Sequence, residues 1–268
     1  MQKHPNVQII MKLFAFAMLS LVPSVTVCSV FSKEVDIYSG TYGNDDVEVF
    51  QPEEVMYHLA GRDGVFYEGA FTFDNYNPDK GGAGNRQGVF SGYSTHFSST
   101  EGTSLGFHCT GLNPGKNSSA SKSFIFVMGP WESGEEFVAP QVTFQDLGDL
   151  SFIADNMDMI GITDGATAGT GGGRYGKADI VSFNNVGNIE FRGLNHGGIG
   201  FSRLNSLAFT NTGDISFTDM KMGYSSNGGA IFINQGGDSS LYSNPGDGNI
   251  SFDHTGSIIF RNLVKTSY

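Results

Sequence analysis

A five-residue phrase, Gly–small polar–aliphatic–any–Phe, occurs five times in the second half of this chain. The copies are Gly148-Asp-Leu-Ser-Phe152, Gly187-Asn-Ile-Glu-Phe191, Gly213-Asp-Ile-Ser-Phe217, Gly248-Asn-Ile-Ser-Phe252 and Gly256-Ser-Ile-Ile-Phe260. Four carry another Phe eight positions before the last: Phe144, Phe183, Phe209 and Phe252. Repetition constrains the architecture more than any single residue does, because one such unit buries its apolar side only against its neighbours.

Ile-x-Phe has period two, so Ile215 and Phe217 share one strand face while Ser216 takes the other. Asn211 and Gly213 suit a bend: Asn tolerates the left-handed conformation, and Gly enters it without steric cost. The leading Phe residues are 39, 26 and 43 residues apart. Two of those steps are near twice a repeat of about 20, inside the range of solenoids with variable loops. Stacked coils place like side chains above one another at about 4.8 Å. Phe and Asn ladders are therefore expected, with Phe152, Phe191, Phe217, Phe252 and Phe260 as repeat core. The aromatic usage of 23 Phe, ten Tyr and one Trp fits a narrow dry interior, since Phe needs no hydrogen-bond partner.

The fold expected is all-β: a right-handed parallel β-helix with an N-terminal β cap region. The 38 Gly residues and the lack of long amphipathic periodicity agree with many turns and few helices. A net charge of −12 argues against nucleic acid, which demands a basic surface.

Residues 1–32 read as a secretory signal peptide. Lys3 and Lys12 supply positive charge, Leu13–Val22 is apolar, and Pro23–Ser32 is rich in small residues. The apolar run is shorter than the ~20 residues of a spanning helix. Met11 is an alternative start to Met1, and cleavage is placed after Ser29 or Ser32, or after Cys28. In each case Cys28 is removed and Cys109 is the sole thiol of the exported chain, either buried or in an intermolecular disulfide. Residues 33–140 read as an N-terminal β cap and early coils, with a separate β domain as the alternative. Residues 141–268 read as the repeat β-helix, uncapped at its C-terminal end, since no polar capping sequence follows Phe260.

No catalytic, cofactor or metal set emerges. Gly171–Lys177 nearly spells a phosphate loop, but Ala178 stands where Ser or Thr must hold magnesium. The stretch before it, Asp164–Thr170, is no apolar parallel strand. Asp155 with Asp158, and Asp45 with Asp46, are carboxylate pairs of the kind a glycosidase uses, yet they read as solvated turn residues. His108 beside Cys109 lacks a third partner for a metal or nucleophile site.

The repeats and the stretch Phe217–Gln235, with Gly228-Gly229-Ala230-Ile231 at its centre, resemble the passenger region of chlamydial polymorphic membrane proteins. That family is marked by Gly-Gly-Ala-(Ile, Leu or Val) and Phe-x-x-Asn tetrapeptides. Gly228–Ile231 matches the first, and Phe-x-Asn at Phe73, Phe183, Phe209, Phe232 and Phe260 approximates the second. The resemblance implies an autotransporter passenger: secreted, on the extracellular side of the outer membrane, and adhesin-like or structural. The implied partners are a host-cell surface receptor or sibling passenger proteins. Peripheral outer-membrane association and self-association are further expectations, and Gly228, Gly229, Ala230 and Ile231 are the candidate adhesion motif. No barrel-type strands are seen, so a short or truncated member is expected, not an enzyme. The alternatives are a β-helical carbohydrate-active enzyme and a non-functional truncated gene product.

Overall fold

The computed structural model describes residues 33–46, 51–73, 88–113, 122–127, 141–164, 178–201, 204–222, 229–233 and 248–265. The chain divides into two compact units, Met1–Val30 and Phe31–Tyr268, and every described residue belongs to the second.

That unit is a parallel β-helix built from three ladders of strands. The first ladder stacks the start of β1 (Lys33–Tyr42), the start of β2 (Gln51–Thr72) and the end of β3 (Gly88–Ser99). It continues through β6 (Gln141–Leu147), β9 (Ala178–Val186), β12 (Leu204–Thr212) and β16 (Asn249–Thr255). The second runs from the ends of β1 and β2 through β4 (Leu105–Asn113), β7 (Leu150–Met157), β10 (Ile189–Leu194), β13 (Ile215–Thr218) and β17 (Ile258–Arg261). The third stacks the start of β3 on β5 (Lys122–Val127), β8 (Met159–Thr163), β11 (Gly197–Phe201) and β15 (Ile231–Ile233). A separate parallel pair joins β14 (Lys221–Met222) to β18 (Val264–Lys265). Strands β1–β5 thus share one sheet with β6–β13 and β15–β17.

Each leading Phe and the Phe eight residues after it mark one coil, and the last such coil holds two copies of the phrase, Gly248–Phe252 ending on β16 and Gly256–Phe260 ending on β17. Val55, Thr95, Val142, Val181, Leu207 and Ile250 stand in one column, at steps of 40, 47, 39, 26 and 43 residues. The 26-residue step is one full turn of three strands and their corners, so the longer steps are one turn plus insertion and not two turns of about 20. The surplus falls between the strands, in segments such as 165–177 and 234–247, which lie outside the described residues.

Two aromatic ladders fill the interior. Tyr57, Phe97, Phe144, Phe183, Phe209 and Phe252 stack in the first, with centroids 4.7–5.3 Å apart. Tyr42, Tyr67, Phe107, Phe152, Phe191, Phe217 and Phe260 stack in the second, at 4.9–5.7 Å. The strand spacing alone brings the rings to this separation. Burying each ring contributes roughly 1.5–3 kcal/mol, and each stacked pair about 0.5–1.5 more. Phe152, Phe191 and Phe217 are wholly buried. Phe252 and Phe260, in the last described coil, are 42% and 56% exposed, so the dry interior does not extend to them.

The polar residues two before the Gly of the phrase hold the corner between the first two ladders. Asp146, Asn185, Asn211 and His254 take the left-handed conformation there, with φ of 57°, 54°, 51° and 50°. Gly213 does not; its φ is ordinary, and its lack of a side chain serves close approach instead. A Cβ at Gly213 would come within 2.6 Å of Asn188 Oδ1 in the coil beneath, and one at Gly187 within 2.6 Å of Asp149 Oδ1. In three copies the next residue, Asp149, Asn188 or Asp214, reaches up to the following coil. Asp149 Oδ1 accepts from the Asn188 amide at 2.8 Å, and Asn188 Oδ1 from the Asp214 amide at 3.0 Å. A backbone donor at each corner is thereby satisfied by the coil below.

Candidate functional site

Of the Gly-Gly-Ala-Ile motif, Ile231 opens strand β15 and Gly229 and Ala230 form the bend that leads into it. Gly228 lies outside the described residues. The Ala230 carbonyl accepts from the amides of Gly198 and Ile199, at 2.9 and 3.2 Å. Ile231 pairs with Ile199 and is half-buried against the core. Small residues are needed here because a Cβ at Gly197 would meet the Gly229 carbonyl at 2.6 Å. What Gly229, Ala230 and Ile231 do is let β15 dock on β11.

Histidines sit in two diagonal rows on the outer face of the first ladder. His96 Nδ1 lies 2.8 Å from Thr143 Oγ1, and its Nε2 lies 2.9 Å from Glu54 Oε1. His58 Nδ1 lies 3.1 Å from Ser98 Oγ, with Nε2 3.5 Å from Glu34 Oε2. A histidine between hydroxyl and carboxylate is the arrangement used to activate a nucleophile. Here β3 is paired on both sides, by β2 and β6, so its amides are taken up by the sheet and do not form an oxyanion hole. His96 is nearly buried, and desolvation pushes its pKa below the usual value, with the Glu54 carboxylate acting against that shift.

A groove of about 520 Å³ crosses four coils at the corner after the second ladder. Asp155, Asn156, Arg192, Asp219, Lys221 and Asn262 line it. It exists because β7 is longer than its neighbour: Arg192 pairs with Ile153 and Leu194 with Met157, so three residues of β7 face the single Gly193 of β10. Gly193 has φ 68°, and any side chain there would run into the Ala154 carbonyl. His108 Nε2 lies 3.3 Å from Asp155 Oδ1, the Asn262 amide donates to Asp219 Oδ1 at 2.8 Å, and Arg192 lies 3.5 Å from Glu190. Cations and carboxylates alternate along the groove, a pattern suited to polar ligands laid parallel to the stack. A second groove, of about 570 Å³, lies at the other corner beside Asp146 and Asn185.

The other sequence candidates separate. Asp155 and Asp158 turn to different histidines, since Asp158 Oδ1 is 3.9 Å from His196 Nε2. Asp46 accepts from the Gly43 amide at 2.7 Å within a short 3-10 turn that also holds Asp45. His108 is exposed while Cys109 is buried, because adjacent strand residues face opposite ways. The thiol donates to the Gly111 carbonyl at 3.2 Å, and burial pushes its pKa up. The glycine-rich stretch 171–177 lies outside the described residues. Among the described residues no three His, Cys, Asp or Glu side chains converge as a metal site, and no helix is long and apolar enough to cross a membrane.

Sequence reasoning did not find the Asp155–Asp219 groove, whose lining comes from four coils of unequal length. Nor did it find the histidine rows; His58 and His96 fall on outward positions once the first ladder is aligned. Comparison with family models, curated proteins and solved structures returns no match.

Proposed function

We propose that this chain is an exported β-helical protein of the bacterial outer surface, adhesin-like, which acts by binding and carries out no chemistry. The observation that carries this reading is the division of labour across each strand. Inward residues are consumed by the core, while the outward residues of the first and second ladders join a surface seven strands deep, about 30 Å at the strand spacing. Solenoids present extended binding surfaces in this way. The signal-like residues 1–32 and the resemblance to polymorphic membrane protein passengers support export. The partner proposed is a receptor on a host cell or a sibling passenger, met through the corner grooves. Beads coated with residues 33–268 are expected to adhere to epithelial cells, and adhesion is expected to fall when Arg192 and Lys221 are changed to Glu. Beads that bind no better than albumin-coated controls would reject the reading.

A second reading, a carbohydrate-active enzyme, is favoured by one observation: Asp155 and Asp219 line the same groove. They stand two coils apart, roughly 10 Å along the stack at the backbone. That is near the upper end of the separation used by inverting glycosidases. Release of reducing ends from acidic and neutral polysaccharides, abolished by Asp155→Asn and Asp219→Asn, would establish it over adhesion.

A further inference from the structure

We propose that a second copy of this chain docks end to end on the coil formed by β16, β17 and β18, about a two-fold axis. The proposal does not rest on adhesion. Leu207, Phe209, Ile215 and Phe217 are wholly buried, yet the residues stacked on them are open: Ile250 at 46%, Phe252 at 42%, Ile258 at 38% and Phe260 at 56%. Val264 adds a fifth, at 55%. With an aromatic side chain burying roughly 150–250 Å², these exposures amount to roughly 400 Å² of apolar surface in one patch. A standard interface takes about 800 Å² from each partner, a little over half of it apolar. The patch therefore supplies about the apolar share that one side of a stable dimer needs.

Charge selects the occupant. The chain carries a net −12, so two copies repel over most of their surface. Between Gly248 and Val264 the sole acid is Asp253, offset by Arg261. This end is where two acidic chains meet at least cost. Strand β16 pairs with β12 on one side and, among the described residues, with nothing on the other. An open edge of this kind templates further pairing. Laid antiparallel on its own copy about Phe252, β16 sets Ile250 against His254 and Ser251 against Asp253, with no like charges opposed. A self-complementary patch is what two-fold association requires.

The test is mass by light scattering on residues 33–268, which hold the entire described core, across micromolar concentrations. Wild type is expected to run at twice the monomer mass. Phe252→Asp and Phe260→Asp are each expected to weaken the dimer at least about tenfold. Ile259→Lys, on the side wall of the same coil, is expected to leave it intact. Should the Asp variants misfold, Ser251→Cys keeps every apolar residue and is expected to cross-link to itself through a short bismaleimide. A monomer at all concentrations, a dimer indifferent to both Phe substitutions, no Ser251→Cys cross-link, or a series of ever larger oligomers would each overturn the two-fold assignment.

Discussion

Asp214 Oδ1 accepts a hydrogen bond of 2.7 Å from the backbone amide of Ser257, 43 residues later in the chain and one coil further along the stack. The same link joins Asp149 to Asn188 and Asn188 to Asp214, so in these three copies the second letter of the repeat phrase is a coil-to-coil clasp. Asn188→Ala removes the acceptor for the Asp214 amide. It is expected to cost about 1 kcal/mol, while Asn188→Asp, which keeps an acceptor oxygen, costs less. Urea unfolding of the two variants checks this ordering.

Gly102 and Gly193 have nearly the same backbone, with φ of 69° and 68°, but different surroundings. Nothing lies within 4 Å of a Cβ at Gly102, whereas one at Gly193 collides with the Ala154 carbonyl. Gly102→Ala is expected to cost about 1–2 kcal/mol, the penalty of the left-handed conformation alone. Gly193→Ala must also move the backbone of β7 and is expected to exceed about 3 kcal/mol. Equal losses by thermal or urea unfolding would contradict the tight corner.

Position along the aromatic ladder sets the cost of removing a ring. Phe183→Ala, in the wholly buried interior, is expected to lose about 3–5 kcal/mol. Phe260→Ala, more than half exposed, is expected to lose under about 1.5 kcal/mol in the monomer. Denaturant titration of each separates the two.

Acid is expected to weaken the fold through His96. Its pKa is lower in the folded chain than in the unfolded chain, so the unfolded state takes up the proton first as pH falls. The stability it contributes is fully present above the unfolded value of about 6.5. It is lost as pH falls through the depressed folded value. Melting temperatures measured from neutral pH downward should drop in wild type and drop less in His96→Gln. Identical profiles would remove His96 as the source.

The sequence exposed what repeats and hid what does not. Ile215 and Phe217 were legible as inward residues because period two and a recurring phrase carry that information locally. The conformation of Asn211 was legible for the same reason. The role of Gly213 was not: a crowded neighbour in the next coil demands the same residue as a left-handed turn, and only the stack shows which applies. The backbone role of Gly229 and Ala230, in the bend that brings Ile231 onto β11, was not legible, because the pairing partner Ile199 lies 32 residues earlier in the chain. The groove between Asp155 and Asp219 depends on three residues of β7 opposing Gly193. No local pattern announces that mismatch.

The central claim is that one pair of Phe residues eight apart, from Phe144, Phe183, Phe209 or Phe252 onward, marks one coil whatever length of chain lies between pairs. It places Ser182 beside Ala208, 26 residues away, and Thr143 beside Ser182, 39 residues away. Adjacent strands lie about 4.8 Å apart, within the Cα separation a disulfide accepts, while two strands span about 10 Å and do not. In oxidised Ser182→Cys/Ala208→Cys protein, mass spectrometry of proteolytic fragments should find residues 182 and 208 joined, and Thr143→Cys/Ala208→Cys should remain as free thiols. Joining of 143 to 208, with 182 and 208 left apart, would contradict the register on which the whole account stands.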